Sequence, residues 1–249
     1  MPSNNYLSAI KSDFDKLSIE SDGFNIEALV KNSGSGTVLT VYIEGDGQAW
    51  KNRYVISSNP TPKKSVALAL ATIDPDLKIA YLARPCMYIG QNDIKCKNNA
   101  IYWTSHRYSS EIIDSMSYAL NELKKYTKTD KIKLVGFSGG GTIAILLAVF
   151  RNDILKITTI AANLDHVLWT NQHKVTPLHA SLNASDYAKK VQNIPQVHFV
   201  GSKDSVVGEE IIWAYCHRML NYSKTKIMVI EGYTHSCCWE DNWVELLKE

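Results

Sequence analysis

The chain has 249 residues, is 45% apolar and 21% charged, and carries a formal net charge of +2. That length suits one large α/β domain or two small ones, and no run of 18 apolar residues is present to span a bilayer. Lys and Arg are dispersed, and the densest group, Lys124, Lys125, Lys128, Lys131 and Lys133, reads as a solvated surface around a helix C-terminus rather than a nucleic-acid patch.

After a polar N-terminus the sequence reads as a hairpin: a strand at 17–20, an Asp22-Gly23 turn, and an alternating strand at 24–31. Gly34-Ser35-Gly36 turns the chain into a strand at 37–43, which stops at Glu44-Gly45-Asp46-Gly47. A loop with Pro60 and Pro62 leads to a short helix at 65–71, then a strand at 78–83. Ser109 or Ser110 caps a helix through 126, with apolar residues at 112, 113, 116, 120 and 123. A strand at 132–137, a helix at 139–151 and a strand at 155–161 follow. After an irregular stretch from 163 to 194 come a strand at 196–201, a helix at 208–221, a strand at 225–230 and a closing helix from about 237. Strands alternating with helices imply a parallel sheet covered on both faces, edged by the initial hairpin. No linker or repeat divides it, so one domain over 1–249 is expected. The 163–194 stretch is long for a connection, which makes it a partial cap over a site.

No basic segment followed by an apolar core is seen at the start, so no signal peptide is read in this chain. The five cysteines show no zinc-type spacing. Cys237 and Cys238 are adjacent, while Cys86 and Cys96 flank the polar loop Gly90 to Lys95 at a distance that a small disulfide could close. Such a bond would point to an oxidising compartment.

The chemistry centres on Lys133 to Thr142. A hydrophobic strand runs into Gly136-Phe137-Ser138-Gly139-Gly140, and a run of helix formers follows at once. Strand, tight turn and helix put Ser138 at the apex, over the positive end of a helix. In an open α/β sheet ligands bind beyond the carboxyl ends of strands. Those exits hold Glu44 to Gly47, Arg84, Ser138, Asn163 to Asp165, Asp204 and His235. Serine needs a base, imidazole titrates in the right range, and a carboxylate fixes the imidazole tautomer. Ser138, Asp204 and His235 therefore form the expected triad, each from a different strand end. Asp165 is the competing acid; His166, His173 and His198 are worse placed than His235.

This pattern resembles the α/β-hydrolase family, which pairs a Gly-x-Ser-x-Gly elbow with the chain order Ser, Asp, His. The resemblance covers essentially the whole chain. Tyr42 to Gly47, Ala83 to Cys86, Trp103-Thr104-Ser105, Asn163-Leu164-Asp165 and Ser181-Leu182-Asn183 are similar to a little-characterised bacterial subgroup, many of them exported lipoproteins. The resemblance implies an α/β-hydrolase fold with about eight mostly parallel strands, a periplasmic home and a Cys86–Cys96 bridge. It implies a carboxylesterase-like serine hydrolase acting on a small-molecule acyl substrate, with no metal or organic cofactor and no nucleic-acid partner. It also implies an oxyanion hole from the amides of Gly139 and Asp46. Here Glu44-Gly45-Asp46-Gly47 stands in place of the His-Gly-x-Gly stretch of lipases. Two acids near a developing oxyanion must point away or be paired, with Arg53 and Arg84 as partners. Gly45, Gly47, Trp50 and Trp169 are the expected substrate contacts, and Trp103 is a further aromatic for the pocket.

Two other readings compete. Gly139-x-Gly141-x-x-Ala144, with Asp165 further on, matches the dinucleotide fingerprint in its alanine form and would imply a nicotinamide-dependent oxidoreductase. Against it, Gly136 and Ser138 already make the turn, and four strands precede the motif. The third reading is a hydrolase fold that binds without turnover.

Overall fold

The computed structural model describes residues 14–88 and 93–249. The polar start of the chain and residues 89–92 of the loop between Cys86 and Cys96 lie outside the described residues. Ten strands are described: β1 (Asp15–Ser21), β2 (Phe24–Asn32), β3 (Val38–Ile43), β4 (Trp50–Asn52), β5 (Val55–Ile56), β6 (Lys78–Leu82), β7 (Lys131–Phe137), β8 (Ile154–Ile160), β9 (Gln196–Gly201) and β10 (Thr225–Ile230). Eight of them form one sheet in the order β1-β2-β6-β3-β7-β8-β9-β10. β1 and β6 each pair antiparallel with β2, and the other pairings are parallel. The short hairpin β4–β5 stands apart and was not read from the sequence. Its five strand residues are all exposed, so it lacks the apolar alternation that marks a sheet strand.

The helices are α1 (Val66–Ile73), α2 (Ser110–Thr127), α3 (Gly139–Val149), α4 (His166–His173), α5 (Ala188–Val191), α6 (Glu209–Cys216) and α7 (Trp243–Leu246). They cover both faces of the sheet, because alternate side chains of a strand point to opposite sides. Val41, Ile43, Ala80, Leu82 and Leu134 pack with α2 and α3 on one face. Tyr42, Ile79, Tyr81, Val135 and Phe137 pack with α1, Trp239 and Trp243 on the other. α3 is the most enclosed helix: every residue from Gly139 to Ala148 is buried. A Cβ on Gly140 would overlap the carbonyl oxygens of Ile43 and Glu44, so the helix start sits directly against the end of β3.

Two expected helices are shorter than their patterns suggested. The 208–221 segment leaves the α conformation after Cys216, where the amides of Arg218 and Met219 bond three residues back. Gln192 then accepts from the amides of Leu220 and Asn221 at 2.9 and 3.1 Å, so a side chain from the end of α5 takes over the role of the next helical turn. At the C-terminus, Cys238 adopts φ +81°, which a right-handed helix excludes. A single 3₁₀ turn (Trp239–Asn242) and α7 replace the closing helix. The 163–194 stretch is also more ordered than expected, holding α4, a 3₁₀ turn (Ala184–Tyr187) and α5. Ala184, Ala188 and Val191 belong to the main core.

His198 of β9 is fully buried, its Nδ1 2.8 Å from Thr159 Oγ1 and its ring edge-on to Tyr215. Burial pushes its pKa down from 6.5 to about 3. The folded protein therefore refuses a proton that the unfolded chain accepts below pH 6.5. This contribution to stability is complete above pH 6.5 and is lost at about 1.4 kcal/mol per pH unit as pH falls towards 3. Urea unfolding between pH 7 and 4.5 should show this slope in the wild type and a shallower one in His198→Gln. Parallel slopes would mean that other groups carry the acid sensitivity.

Candidate active site

Ser138 sits between β7 and α3 with φ +51° and ψ −122°, a conformation that only a tightly over-determined turn sustains. Its amide is anchored on Ile160 O at 2.8 Å, and its carbonyl accepts from the Gly141 amide at 3.0 Å. The elbow therefore holds the Ser138 side chain at the carboxyl end of the sheet. His235 follows β10, with Nε2 3.1 Å from Ser138 Oγ and Nδ1 2.9 Å from Asp204 Oδ2. Asp204 follows β9, and its side chain has no solvent exposure. Its second oxygen, Oδ1, accepts the amides of Val206 and Val207 at 2.8 and 2.9 Å. The two loops are tied together, since the Lys203 amide donates to Tyr233 O and the Gly232 amide to Ser202 Oγ, each at 2.8 Å. Three strand exits thus deliver a hydroxyl, an imidazole and a carboxylate in one hydrogen-bonded line.

The serine hydrolase (FSH1) family model matches residues 63–235, well over half the chain and inclusive of all three side chains. The chain belongs to this family. No curated protein matches it significantly. Among solved structures, this serine hydrolase is similar to Est1E from Butyrivibrio proteoclasticus with ferulic acid bound: TM-score 0.66, 16% identity, covering 93% of this chain and 96% of that one. It is also similar to the Pyrococcus furiosus esterase Pf2001 (TM-score 0.64, 14% identity, 100% and 96% covered) and to an alpha-beta serine hydrolase homologue from Coxiella burnetii (0.61, 15%, 94% of each). At these identities the likeness speaks to the fold, which is the α/β-hydrolase fold.

Around Ser138 the hydrolase has an open cavity of about 480 Å³, within the usual range for small-molecule sites. Gly45, Asp46, Gly47, Trp50 and Trp169 line it, together with Phe137, Asn163, Val206, Val207 and Arg107. Trp169 is fixed by its Nε1–H donating to Val206 O at 2.7 Å and by the His173 ring 4.9 Å away. Trp103 is buried, donates to Ser57 O at 3.0 Å and is not part of the lining, because its position in a core turn takes the ring inward.

The acids of the loop after β3 are both held by partners, in different ways. Asp46 accepts from Arg107 Nη1 at 2.8 Å, Arg84 Nη1 at 3.3 Å and Tyr108 OH at 2.9 Å. Burial raises its pKa, but the two guanidinium groups outweigh this and hold the carboxyl below its ordinary range. Glu44 is turned under the loop, where it accepts from Ser65 Oγ, from Tyr81 OH at 2.8 Å and from the Gly45 amide at 2.9 Å. Burial dominates there and raises its pKa. Arg53, the other expected partner, instead donates to Lys174 O at 3.0 Å on the surface. Arg107 and Tyr108 were missed: they lie 61 and 62 residues from Asp46, and nothing local marks them as its partners.

This pairing leaves the amides free for another purpose. Among the described hydrogen bonds, neither the Gly139 amide, in the first turn of α3, nor the Asp46 amide has an acceptor. A Cβ on Gly139 would overlap the Asp46 carboxylate and the Tyr108 hydroxyl, so both side chains pack directly against the start of α3. Gly47 keeps the loop in place with φ +61° and with no room for a side chain against Pro60 O.

The competing residues have other duties. Asp165 Oδ1 caps α4 by accepting from Leu168 N at 3.0 Å, and also accepts from Asn183 Nδ2 at 3.2 Å. His166 is buried beside the Tyr108 ring, and His173 Nε2 lies 2.9 Å from Val206 O. Gly139, Gly141 and Ala144 are buried in α3 and serve close helix–sheet packing, which explains their dinucleotide-like spacing without a nucleotide.

Proposed function

We propose that this serine hydrolase cleaves a carboxylic ester or related acyl compound through an acyl-enzyme. Ser138 is the nucleophile, His235 the general base and acid, and Asp204 the group that orients the imidazole. The observation that carries this reading is the hydrogen-bonded line from Ser138 Oγ through His235 to the buried Asp204 carboxylate. The esterases among its structural neighbours, one of them holding ferulic acid, support an ester over other acyl bonds.

Attack by Ser138 Oγ on the substrate carbonyl transfers its proton to His235 Nε2, and Asp204 stabilises the imidazolium. The tetrahedral oxyanion is held by the amides of Gly139 and Asp46. The positive end of α3 and the cationic surplus of Arg84 and Arg107 over Asp46 favour the same negative charge. His235 then protonates the leaving alcohol, and water activated by the same imidazole releases the acid. Gly45, Gly47, Trp50 and Trp169 contact the substrate. We also take the chain as one catalytic domain whose 163–194 stretch is a partial roof, since it supplies Asn163 and Trp169 to the cavity wall. A cavity this open suits small or accessible acyl groups. The Cys86–Cys96 bridge supports membership of the exported bacterial subgroup.

Reaction with a fluorophosphonate followed by peptide mapping tests the assignment. The adduct is expected on Ser138 and should be lost in His235→Ala. An unlabelled protein that hydrolyses no acyl ester would instead be a binding protein on a hydrolase fold. Gly47→Val tests the oxyanion loop: it forces a β-branched residue to φ +61° against Pro60 O, displacing the Asp46 amide. Its kcat on nitrophenyl acetate should fall by roughly a hundredfold or more. Unchanged turnover would move the oxyanion hole elsewhere.

A further inference from the structure

Three residues separate His235 from Trp239, and two of them are the adjacent cysteines Cys237 and Cys238, which are bridged to each other. This bridge lies within the segment that fixes the catalytic imidazole. On one side, the Cys237 amide donates to Thr234 Oγ1 at 3.2 Å. On the other, Trp239 is fully buried, stacks edge-on against Tyr233 with ring centroids 5.0 Å apart, and donates from Nε1 to His235 O at 3.1 Å. Trp239 is therefore an anchor for the His235 backbone, and the bridged pair sets the path of the chain between anchor and imidazole. Ser236, within the same segment, lines the cavity.

The backbone of Cys238 carries the consequence. Its φ of +81° lies in the left-handed region that is unfavourable for a residue with a Cβ. Closing a ring across one peptide bond restricts the conformations open to both residues, and opening the ring removes that restriction. Cys238 is then free to return to negative φ, which redirects the chain between Trp239 and His235. Catalysis tolerates little of this, since a misplacement of about 1 Å can cost a hundredfold in rate.

The same pair is the accessible one. Cys237 is exposed and Cys238 half-buried, whereas Cys86, Cys96 and Cys216 are buried. Burial also pushes the Cys216 thiol up to about 12, so it supplies almost no thiolate to compete in exchange.

We propose that Cys237–Cys238 is a thiol-exchange site that positions His235, active when bridged and impaired when reduced by a small dithiol. This rests on the role of His235 given above. In the exchange, a dithiol thiolate attacks Cys237 Sγ, forming a mixed disulfide and releasing Cys238 as a thiolate that takes up a proton. The second thiol of the reductant then attacks its own sulfur in the mixed disulfide and releases Cys237. The reductant leaves as a cyclic disulfide, having delivered two electrons and two protons to the protein. Both cysteines are positioning residues, acting through the segment that carries His235.

The test compares the purified oxidised protein with protein exposed to limiting dithiothreitol, using differential alkylation to map the cysteines and the fluorophosphonate labelling rate of Ser138 as readout. The oxidised protein should show one free thiol, Cys216, and limiting reductant should open Cys237–Cys238 before Cys86–Cys96. The labelling rate should then fall at least tenfold and recover when glutathione disulfide restores the bridge. Cys237→Ser/Cys238→Ser should label slowly and ignore the reductant. Equal labelling rates for the bridged and opened forms would overturn the proposal, as would free thiols at 237 and 238 in the oxidised protein. Absence of Ser138 labelling in both forms would instead refute the nucleophile assignment, and this proposal with it.

Discussion

Ser138→Ala is expected to lower kcat/KM for a nitrophenyl acyl ester by about 10⁵-fold or more, with the fold intact. In the proposed mechanism, removing Oγ deletes the atom that forms the acyl-enzyme, so residual catalysis comes only from the proposed oxyanion amides and from binding. The alanine leaves the elbow hydrogen bonds in place, because Ile160 O and the Gly141 amide are met by the Ser138 backbone. Burst kinetics and circular dichroism together check the result: the burst should vanish while the spectrum is unchanged. A variant retaining a burst would place the nucleophile at another residue.

Asp204→Asn should cost about 10⁴-fold in kcat, and the structure gives a specific reason. Oδ1 accepts two backbone amides, Val206 and Val207, so that position demands an acceptor. The asparagine oxygen is therefore pinned there, and its NH₂ faces His235 Nδ1, where the carboxylate Oδ2 now lies at 2.9 Å. A donor in that place forces Nδ1 to be the acceptor and puts the imidazole proton on Nε2, which is then unable to accept the Ser138 proton. KM should change far less than kcat, since Asp204 does not line the cavity. Equal loss in both constants would indicate that Asp204 shapes the cavity rather than the imidazole.

The residues of the site are encoded in different ways. The elbow is legible as a string because a strand, a φ-positive apex and a helix must be contiguous, and the small residues that permit the turn sit beside the serine. Asp204 and His235 are legible because strands in a parallel sheet all end on the same side, so the residues just beyond them converge whatever their separation in sequence. The clamp on Asp46 has no such rule. Arg84 was a candidate only because it follows a strand, while Arg107 and Tyr108 come from the turn before α2, and Arg53 turned outward. Side chains several bonds long reach partners that only the packed backbone defines.

The cysteines divide in the same way. The Cys86–Cys96 spacing allows a loop closure but does not require it, and the folded chain brings the two Cα atoms to 5.3 Å. The adjacent pair was visible in the sequence, yet its relation to catalysis depends on Trp239 reaching back to His235 O.

By itself the sequence determined the layered α/β architecture, the initial antiparallel hairpin, the tight strand–turn–helix around Ser138, and the strand exits that carry Asp204 and His235. These follow from local periodicity, turn chemistry and the polarity of parallel strands, each of which acts over a few residues. Tertiary structure alone decided which partners hold the two acids of the loop after β3, which tryptophans face the cavity, and where α6 stops. Those outcomes depend on contacts between residues tens of positions apart, and their energies exist only once the backbone has closed around them.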